Sequence, residues 1–118
     1  MKRILIIEDC KFTTGTLKEI LKKEGYNVVG QATTGAEGIE MAIELEPEVI
    51  TVDNMLPDMI GIDVIKEIIK EQIDCKILMI SSLSDDMIIK EALKSGASKY
   101  LIKPFTASQL KESLEDIH

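Results

Sequence analysis

Histidine and tryptophan are nearly absent from this sequence, which has no Trp and a single His at its last position, His118. This scarcity excludes Ser-His-Asp triads, Cys-His dyads and most zinc sites. The two cysteines, Cys10 and Cys75, are too few and too far apart for a disulfide scaffold or a metal knuckle. We expect both to be reduced, buried side chains. Any chemistry must therefore rest on carboxylates, hydroxyls and lysines.

A basic surface and a long apolar run are also lacking. The formal net charge of −7 argues against a surface that binds nucleic acid or an anionic membrane. No apolar run approaches the roughly 20 residues of a membrane span. The N-terminal residues lack the long apolar region and the small-residue cleavage site of a signal peptide. We therefore expect a cytoplasmic protein without membrane insertion and without direct contact to nucleic acid.

Two kinds of apolar segment alternate along the chain. Short continuous runs are typical of strands that are buried on both faces, whereas the segments between them have apolar residues at helical spacing. The five predicted strands are residues 4–7, 28–32, 49–52, 76–80 and 100–102. With five helices between and after them, this alternation predicts one α/β domain over residues 1–118, a doubly wound parallel sheet with helices on both faces.

Capping residues indicate where several helices begin and end. Gly25 and Gly96 stand where the first and fourth helices should end. Ser84, followed by two acids, predicts the start of the fourth helix. Thr106 and Gln109 form a capping box for the fifth. The inner faces of the second and fourth helices are expected to carry Ile39, Ala42 and Ile43, and Ile89, Ala92 and Leu93, respectively.

Charged and polar residues follow the predicted strands at their carboxyl ends. The first strand leads into Glu8 and Asp9, the third into Asp53, the fourth into Ser81 and the fifth into Lys103. Because parallel strands end at one edge of a sheet, where doubly wound folds bind ligands, we expect these side chains in one cleft. Neighbouring carboxylates repel one another, so the cluster must raise some pKa values or bind a cation. Oxygen ligands favour a hard cation, above all Mg²⁺.

This mixture of groups points to phosphoryl transfer. A cation, the ammonium of Lys103 and the hydroxyl of Ser81 would all face the carboxylate of Asp53. Such groups neutralise the oxygens of a phosphoryl group during its transfer. A carboxylate nucleophile would form an acyl phosphate, which is reactive and reversible.

With these residues in view, the sequence resembles the receiver domains of bacterial and archaeal two-component response regulators, the chemotaxis-type (CheY-like) receivers in particular. The resemblance covers residues 2–117. Its motifs are Glu8-Asp9, Asp53 followed by Leu56-Pro57 and Gly61, Ser81-Ser82, and Lys103-Pro104-Phe105. It implies a stand-alone receiver domain, a flavodoxin-like sheet in the order 2-1-3-4-5, and a signalling role rather than an enzymatic one.

The resemblance also implies roles at the metal and the acceptor. Asp53 is the implied phosphoacceptor. The implied ligands of Mg²⁺ are Glu8, Asp9, Asp53 and the backbone carbonyl of Met55.

Further implied roles concern the phosphoryl oxygens and the switch. Ser81 would hydrogen-bond one phosphoryl oxygen, and Lys103 would pair with another. The Lys103–Pro104 bond would be cis, which aims the lysine into the cleft. Tyr100 matches the family's switch aromatic, which turns inward when the Ser81 position moves toward the phosphate. An ordinary edge-strand aromatic remains the alternative for Tyr100.

The implied partners are proteins. A histidine kinase would be the phosphodonor, and a downstream target would dock near Tyr100 and the fourth and fifth helices, residues 84–95 and 106–117. A phosphatase is a further expected partner, and chemotaxis is one of several settings.

Three departures from the family pattern bear on function. Glu8 stands where Asp is frequent, and Ser82 stands where Ala is common; both changes should be tolerated. Met55 and Leu83 follow the acceptor and the hydroxyl residue by two positions. Both are apolar, whereas polar side chains there can orient the water that hydrolyses the acyl phosphate. Our hypothesis is slow self-dephosphorylation.

Two other functions remain open. The chain could be a phosphorelay intermediate that passes the phosphoryl group to a second histidine protein. It could also be a Mg²⁺-dependent phosphohydrolase with Asp53 as the nucleophile. Such hydrolases usually carry a second acid two residues after the nucleophile and a substrate cap, but this position is Met55 and no cap segment is evident.

Two further residues carry open expectations. Gly15 lies inside the first predicted helix, which it should weaken by about 1 kcal/mol relative to Ala. It either permits close packing or marks a contact surface. Asp58 follows the third strand and is expected to add negative charge near the cleft.

Overall fold

The computed structural model of the chain, which describes residues 2–117, contains five strands and five helices in alternation. In chain order they are β1 (Arg3–Ile7), α1 (Lys11–Lys23), β2 (Asn27–Ala32), α2 (Gly35–Leu45), β3 (Val49–Val52), α3 (Gly61–Lys70), β4 (Lys76–Ser81), α4 (Asp86–Ser95), β5 (Lys99–Ile102) and α5 (Ala107–Asp116). The predicted strands are confirmed, with boundaries shifted by no more than a residue. None of the helices in residues 2–117 is long and apolar enough to cross a membrane.

The strands form one parallel sheet in the order β2-β1-β3-β4-β5, which confirms the predicted fold class. The chain leaves β1 toward β2 on one side and returns to β3 on the other, so the order reverses between β1 and β3. Ile7 and Val52, the last residues of these two strands, are aligned across the reversal. Whatever follows them is therefore brought together at the topological switch point, where ligands bind in this architecture.

The three central strands, β1, β3 and β4, are largely buried on both faces, which explains their continuous apolar runs. In β1, Leu5 and Ile7 face the core layer under α2, α3 and α4, whereas Ile4 and Ile6 face the layer under α1 and α5. All four side chains are fully buried. Apart from Thr51, the polar residues of these strands stand at their ends, so polar groups collect at the edges of the sheet.

Most predicted helix ends are confirmed, and one is wrong by a residue. Thr106 and Gln109 form the capping box of α5, and Gly96 ends α4 with a φ of 128°. The N-cap of α4 is Asp85 rather than Ser84. The carboxylate of Asp85 accepts a hydrogen bond of 2.8 Å from the backbone N–H of Met87.

Two residues that were expected on the buried faces of helices are exposed to solvent. Ile43 is 47% exposed because it stands one step of about 100° beyond the buried Ala42, on the side away from Met41 and Leu45. In α4, Leu93 is 44% exposed, and Ile88 packs against the core together with Ala92. The buried stripe of α4 is thus rotated by one residue from the predicted one.

Candidate functional site

The three predicted acids meet at the carboxyl edge of the sheet. Glu8 and Asp9 follow β1, and Asp53 follows β3, the neighbouring strand. One carboxylate oxygen from each lies within 4.8 Å of the others. Glu8 is 3% exposed and Asp53 is 7% exposed, whereas Asp9 is open to solvent. The alignment of β1 with β3 produces this proximity, as the switch-point argument predicts.

Lys103 supplies positive charge to this cluster. It follows β5, and its backbone N–H donates a hydrogen bond of 2.8 Å to the carbonyl of Ser81 at the end of β4. Its Nζ donates to Glu8 Oε1 at 2.7 Å and lies 3.5 Å from Asp53 Oδ2. The Lys103–Pro104 bond is cis, as the resemblance implied.

Burial and mutual charge shift the pKa values of this group. Burial raises the pKa of Glu8 to about 7, although the hydrogen bonds from Lys103 and from the Cys10 backbone oppose the rise. Burial also lowers the pKa of Lys103, but its hydrogen bond to Glu8 and the charge of Asp53 outweigh that effect and raise it. The ammonium therefore stays charged beside the acids, and one cation faces three carboxyl groups.

The donor set fits a hard divalent cation. All three side chains offer carboxylate oxygens, the ligands that Mg²⁺ prefers. The exposure of Asp9 leaves room for the waters that Mg²⁺ retains. The remaining oxygens of the buried acids are held by backbone groups: Glu8 Oε2 accepts from Cys10 N at 3.1 Å, and Asp53 Oδ1 accepts from Met55 N at 3.2 Å. The cluster is thus compatible with Mg²⁺ binding.

Ser81 and Tyr100 are joined through the backbone of Leu83. Ser81 is fully buried, and its Oγ accepts a hydrogen bond of 3.2 Å from Leu83 N. The hydroxyl of Tyr100 donates to the carbonyl of Leu83 at 2.7 Å, while its half-buried ring packs against the core layer under α2, α3 and α4. Sequence reasoning identified Ser81 and Tyr100, but not that both contact the backbone of the same residue, Leu83.

The backbone of Asp53 packs directly against the start of α3. Asn54 Oδ1 accepts a hydrogen bond of 3.1 Å from Ile62 N, and the Asn54 carbonyl accepts one of 2.8 Å from Gly61 N. A Cβ at Gly61 would lie 2.3 Å from the carbonyl oxygen of Asp53, so only glycine fits there undistorted. Sequence reasoning missed Asn54, because its side chain contacts a helix start eight residues further along the chain, beyond the reach of a local capping signal.

Asp58 has a role that the sequence did not predict. Instead of adding free negative charge to the cleft, its carboxylate accepts hydrogen bonds from Gly35 N at 2.8 Å and Ala36 N at 3.0 Å. These two groups begin α2, and their hydrogen bonds hold the pKa of Asp58 below its usual range. The loop after β3 is thereby attached to α2.

The expectation for the cysteines is wrong at Cys10, which is exposed, whereas Cys75 is partly buried. Cys10 is the N-cap residue of α1, just beyond the acidic edge of the sheet. The chain has already left the buried sheet there, so a small apolar side chain gains no core position. Hydrogen bonds with Thr13 lower the pKa of its thiol.

Comparison with known proteins identifies the family of the chain. Residues 4–115 match the family described as the response regulator receiver domain. The chain belongs to this family. It is 41% identical over 116 residues to the chemotaxis protein CheY of Thermotoga maritima, covering 98% of this chain and 97% of that relative. The CheY of Bacillus subtilis is 35% identical over 112 residues, covering 95% of this chain and 93% of that protein.

Solved structures of receiver domains superpose closely. The response regulator domain of Thermotoga maritima CheB has a TM-score of 0.87 at 36% identity, covering 99% of this chain and 93% of that one. A CheX–CheY–BeF₃–Mg²⁺ complex from Borrelia burgdorferi gives a TM-score of 0.95 at 25% identity, with coverages of 98% and 88%. The chain is therefore a receiver domain homologous to CheY and other response regulators, which is consistent with phospho-accepting signalling in a two-component system.

Proposed function

We propose that this receiver domain accepts a phosphoryl group on Asp53 from a histidine kinase, with Mg²⁺ bound beside it. The observation that carries the proposal is the meeting of Glu8, Asp9, Asp53 and Lys103 at the switch point of the sheet. A nearly buried carboxylate with acids on one side and an ammonium on the other suits phosphoryl transfer better than any other chemistry that these groups offer.

Each member of the cluster has a proposed task. An oxygen of Asp53 attacks phosphorus as the bond from phosphorus to the kinase's imidazole nitrogen breaks, and that nitrogen keeps the electron pair. Glu8, Asp9, Asp53 and the backbone carbonyl of Met55 would hold Mg²⁺, which supplies charge neutralisation when bound. Lys103, already 3.5 Å from Asp53 Oδ2, would pair with a phosphoryl oxygen.

The proposed switch runs through Leu83. In the structure Ser81 Oγ accepts from Leu83 N, so its hydroxyl hydrogen is available to a phosphoryl oxygen. Movement of Ser81 toward that oxygen would pull on the backbone of Leu83, whose carbonyl also accepts the hydrogen bond from the Tyr100 hydroxyl. The surface near Tyr100, α4 and α5 would then change for a downstream protein. Protein docking rather than nucleic-acid binding is the output we propose, given the net charge of −7.

The acyl phosphate should be long-lived. Met55 is 58% exposed and Leu83 is half-buried, and neither side chain can orient a hydrolytic water. Slow self-dephosphorylation would make a separate phosphatase the means of resetting the signal. Because the chemotaxis proteins of two bacteria are similar over nearly the whole chain, chemotaxis is the setting that we propose.

Phosphorylation with a small donor tests the proposal. The chain is incubated with acetyl phosphate and Mg²⁺, and its intact mass is measured. We expect a gain of one phosphoryl group that is lost in Asp53→Ala and absent when EDTA replaces Mg²⁺. Asp63→Ala is the matched control, because it removes an exposed acid from the first turn of α3 and should leave the gain unchanged. A gain that survived in Asp53→Ala would place the acceptor elsewhere.

A further inference from the structure

The loop between β3 and α3 is closed at its base, so that it moves as one piece. Gly61 N donates to the carbonyl of Asn54 at 2.8 Å, and Met55 forms an antiparallel bridge with Ile60. The side chain of Asn54 also accepts a hydrogen bond from Ile62 N in the first turn of α3. Residues 55–60 thus form a short hairpin that is fastened to α3, and a shift at its tip is transmitted to its base.

The tip of this hairpin is fastened to α2 by Asp58. Both oxygens of its carboxylate accept backbone hydrogen bonds, at 2.8 Å from Gly35 N and at 3.0 Å from Ala36 N. The side chain of the helix's own N-cap, Thr34, accepts from Glu37 N at 3.1 Å. Asp58 therefore satisfies two further N–H groups of the first turn, at the positive end of the helix dipole.

A packing contact acts at the same point. A Cβ at Gly35 would lie 2.4 Å from Cγ and 2.7 Å from Sδ of Met59. Met59 can lie on the backbone of α2 only because residue 35 has no side chain. The start of α2 thus contacts the hairpin in two ways. Its backbone N–H groups bind the carboxylate of Asp58, and its glycine at position 35 packs against the side chain of Met59.

We propose that Asp58 and Gly35 form a clasp that positions the hairpin and thereby sets the affinity of the acidic cluster for its divalent cation. The inference rests on the proposed function, since Met55, whose carbonyl is the expected backbone ligand, lies in the same hairpin three residues before Asp58. Asp58 is a positioning residue in this scheme and touches neither the cation nor the phosphoryl group. Binding free energies are reciprocal, so the cation must also tighten the clasp.

Calorimetric titration of the full chain with Mg²⁺ tests the clasp in two variants, one changed in the hairpin and one changed at the start of α2. Asp58→Asn keeps the shape but replaces one accepting oxygen with an NH₂ group, and Gly35→Ala pushes against Met59 without changing any charge. Each should weaken Mg²⁺ binding about tenfold, the lower end of the range for groups that orient metal ligands. Glu37→Gln is the control: it removes one charge from the same helix end without touching the hairpin, and its affinity should stay at the wild-type value.

Amide hydrogen exchange gives a second readout. In the wild type, Mg²⁺ should slow exchange at Gly35 and Ala36, and in Asp58→Asn it should not. Unchanged affinity in Asp58→Asn, or an equal loss in Glu37→Gln, would overturn the clasp while leaving the acceptor site intact. A wild type that bound no Mg²⁺ would overturn both the clasp and the proposed function. If Gly35→Ala does not fold, Asp58→Asn against Glu37→Gln decides the question.

Discussion

Gly61 is the position at which a single added methyl group should disturb both the stability of the chain and the position of Asp53. It is the first residue of α3, and a Cβ there would lie 2.3 Å from the carbonyl oxygen of Asp53. The next two atoms, at 2.8 and 2.9 Å, belong to the backbone of Asn54 and Asp53. Because all three are backbone atoms, no side-chain rotation can relieve the overlap, and the start of α3 must move away from Asp53.

The expected cost follows from this overlap. Overpacking of a well-packed site costs about 1–3 kcal/mol. An unfolding entropy of about 2.1 cal/mol/K per residue gives the 118-residue chain about 0.25 kcal/mol/K. One kcal/mol then corresponds to about 4 °C in Tm, so Gly61→Ala should lower Tm by about 4–12 °C. Its phosphorylation by acetyl phosphate should also slow, since the displaced carbonyl belongs to Asp53.

Gly15→Ala is the matched control, and its effect should have the opposite sign. A Cβ at this exposed position in α1 meets nothing within 4 Å. Alanine should therefore stabilise the helix by about 0.5–1 kcal/mol and raise Tm by about 2–4 °C. Thermal unfolding by circular dichroism measures both variants. A Gly61→Ala protein as stable as the wild type, or a Gly15→Ala protein that is less stable, would refute the reasoning.

Four further changes have defined outcomes. Thr51 Oγ1 is the one buried side-chain polar atom without a partner in residues 2–117, so Thr51→Val should add about 1 kcal/mol to the unfolding free energy; a lower urea midpoint would contradict this. Tyr100→Phe removes a 2.7 Å hydrogen bond to Leu83 and should cost about 1 kcal/mol in the same assay, where an unchanged midpoint would count against the contact. Backbone hydrogen bonds at the start of α2 lower the pKa of Asp58, so its stabilising effect is present above about pH 4 and is lost as the pH falls through the lowered pKa. The urea midpoints of wild type and Asp58→Asn, measured in EDTA, should differ at neutral pH and converge in acid; a constant difference would be inconsistent with this titration. Finally, decay of the phosphorylated chain should be slow and should accelerate when Asn replaces Met55 and Glu replaces Leu83; rapid decay that these changes did not affect would remove the basis of the long-lived signal.

The strands could be predicted because burial on both faces leaves a direct trace in the sequence. In the run Val49–Val52, Thr51 is the single polar residue, and its hydroxyl is buried without a partner instead of facing solvent. The order of the strands left no comparable trace. Apolar periodicity identifies elements but not their neighbours, so the order 2-1-3-4-5 was available only through the family resemblance.

The face of α4 was predicted incorrectly because its apolar residues allow more than one inner stripe. Ile89, Ala92 and Leu93 have helical spacing, but so do Ile88 and Ala92, which pack against the core. Adjacent residues are about 100° apart on a helix, so choosing Ile89 instead of Ile88 places the wrong side of the helix inside. Packing against the sheet, rather than local sequence, decides which stripe is buried.

In the site, the residues that follow strands could be predicted, but the contacts that hold the neighbouring loop could not. Glu8, Asp9, Asp53 and Lys103 were predictable because each follows a parallel strand, and topology alone brings strand ends together. The attachment of Asp58 to α2 was not, because it joins positions 22 and 23 residues apart whose separate sequences allow many other partners.

The partners of Lys103 illustrate what topology leaves undetermined. Its Nζ lies 2.7 Å from Glu8 Oε1 and 3.5 Å from Asp53 Oδ2. The shorter contact is the stronger hydrogen bond, so the lysine is held more closely to Glu8 than to Asp53. In the proposed function, a phosphoryl group would replace the single carboxylate charge of Asp53 with about two negative charges, and a cation at Glu8 would compete with the ammonium for that acid. Both changes would favour movement of Lys103 toward Asp53. We therefore propose that the ion pair to Glu8 is the resting position of a group whose working position lies beside Asp53.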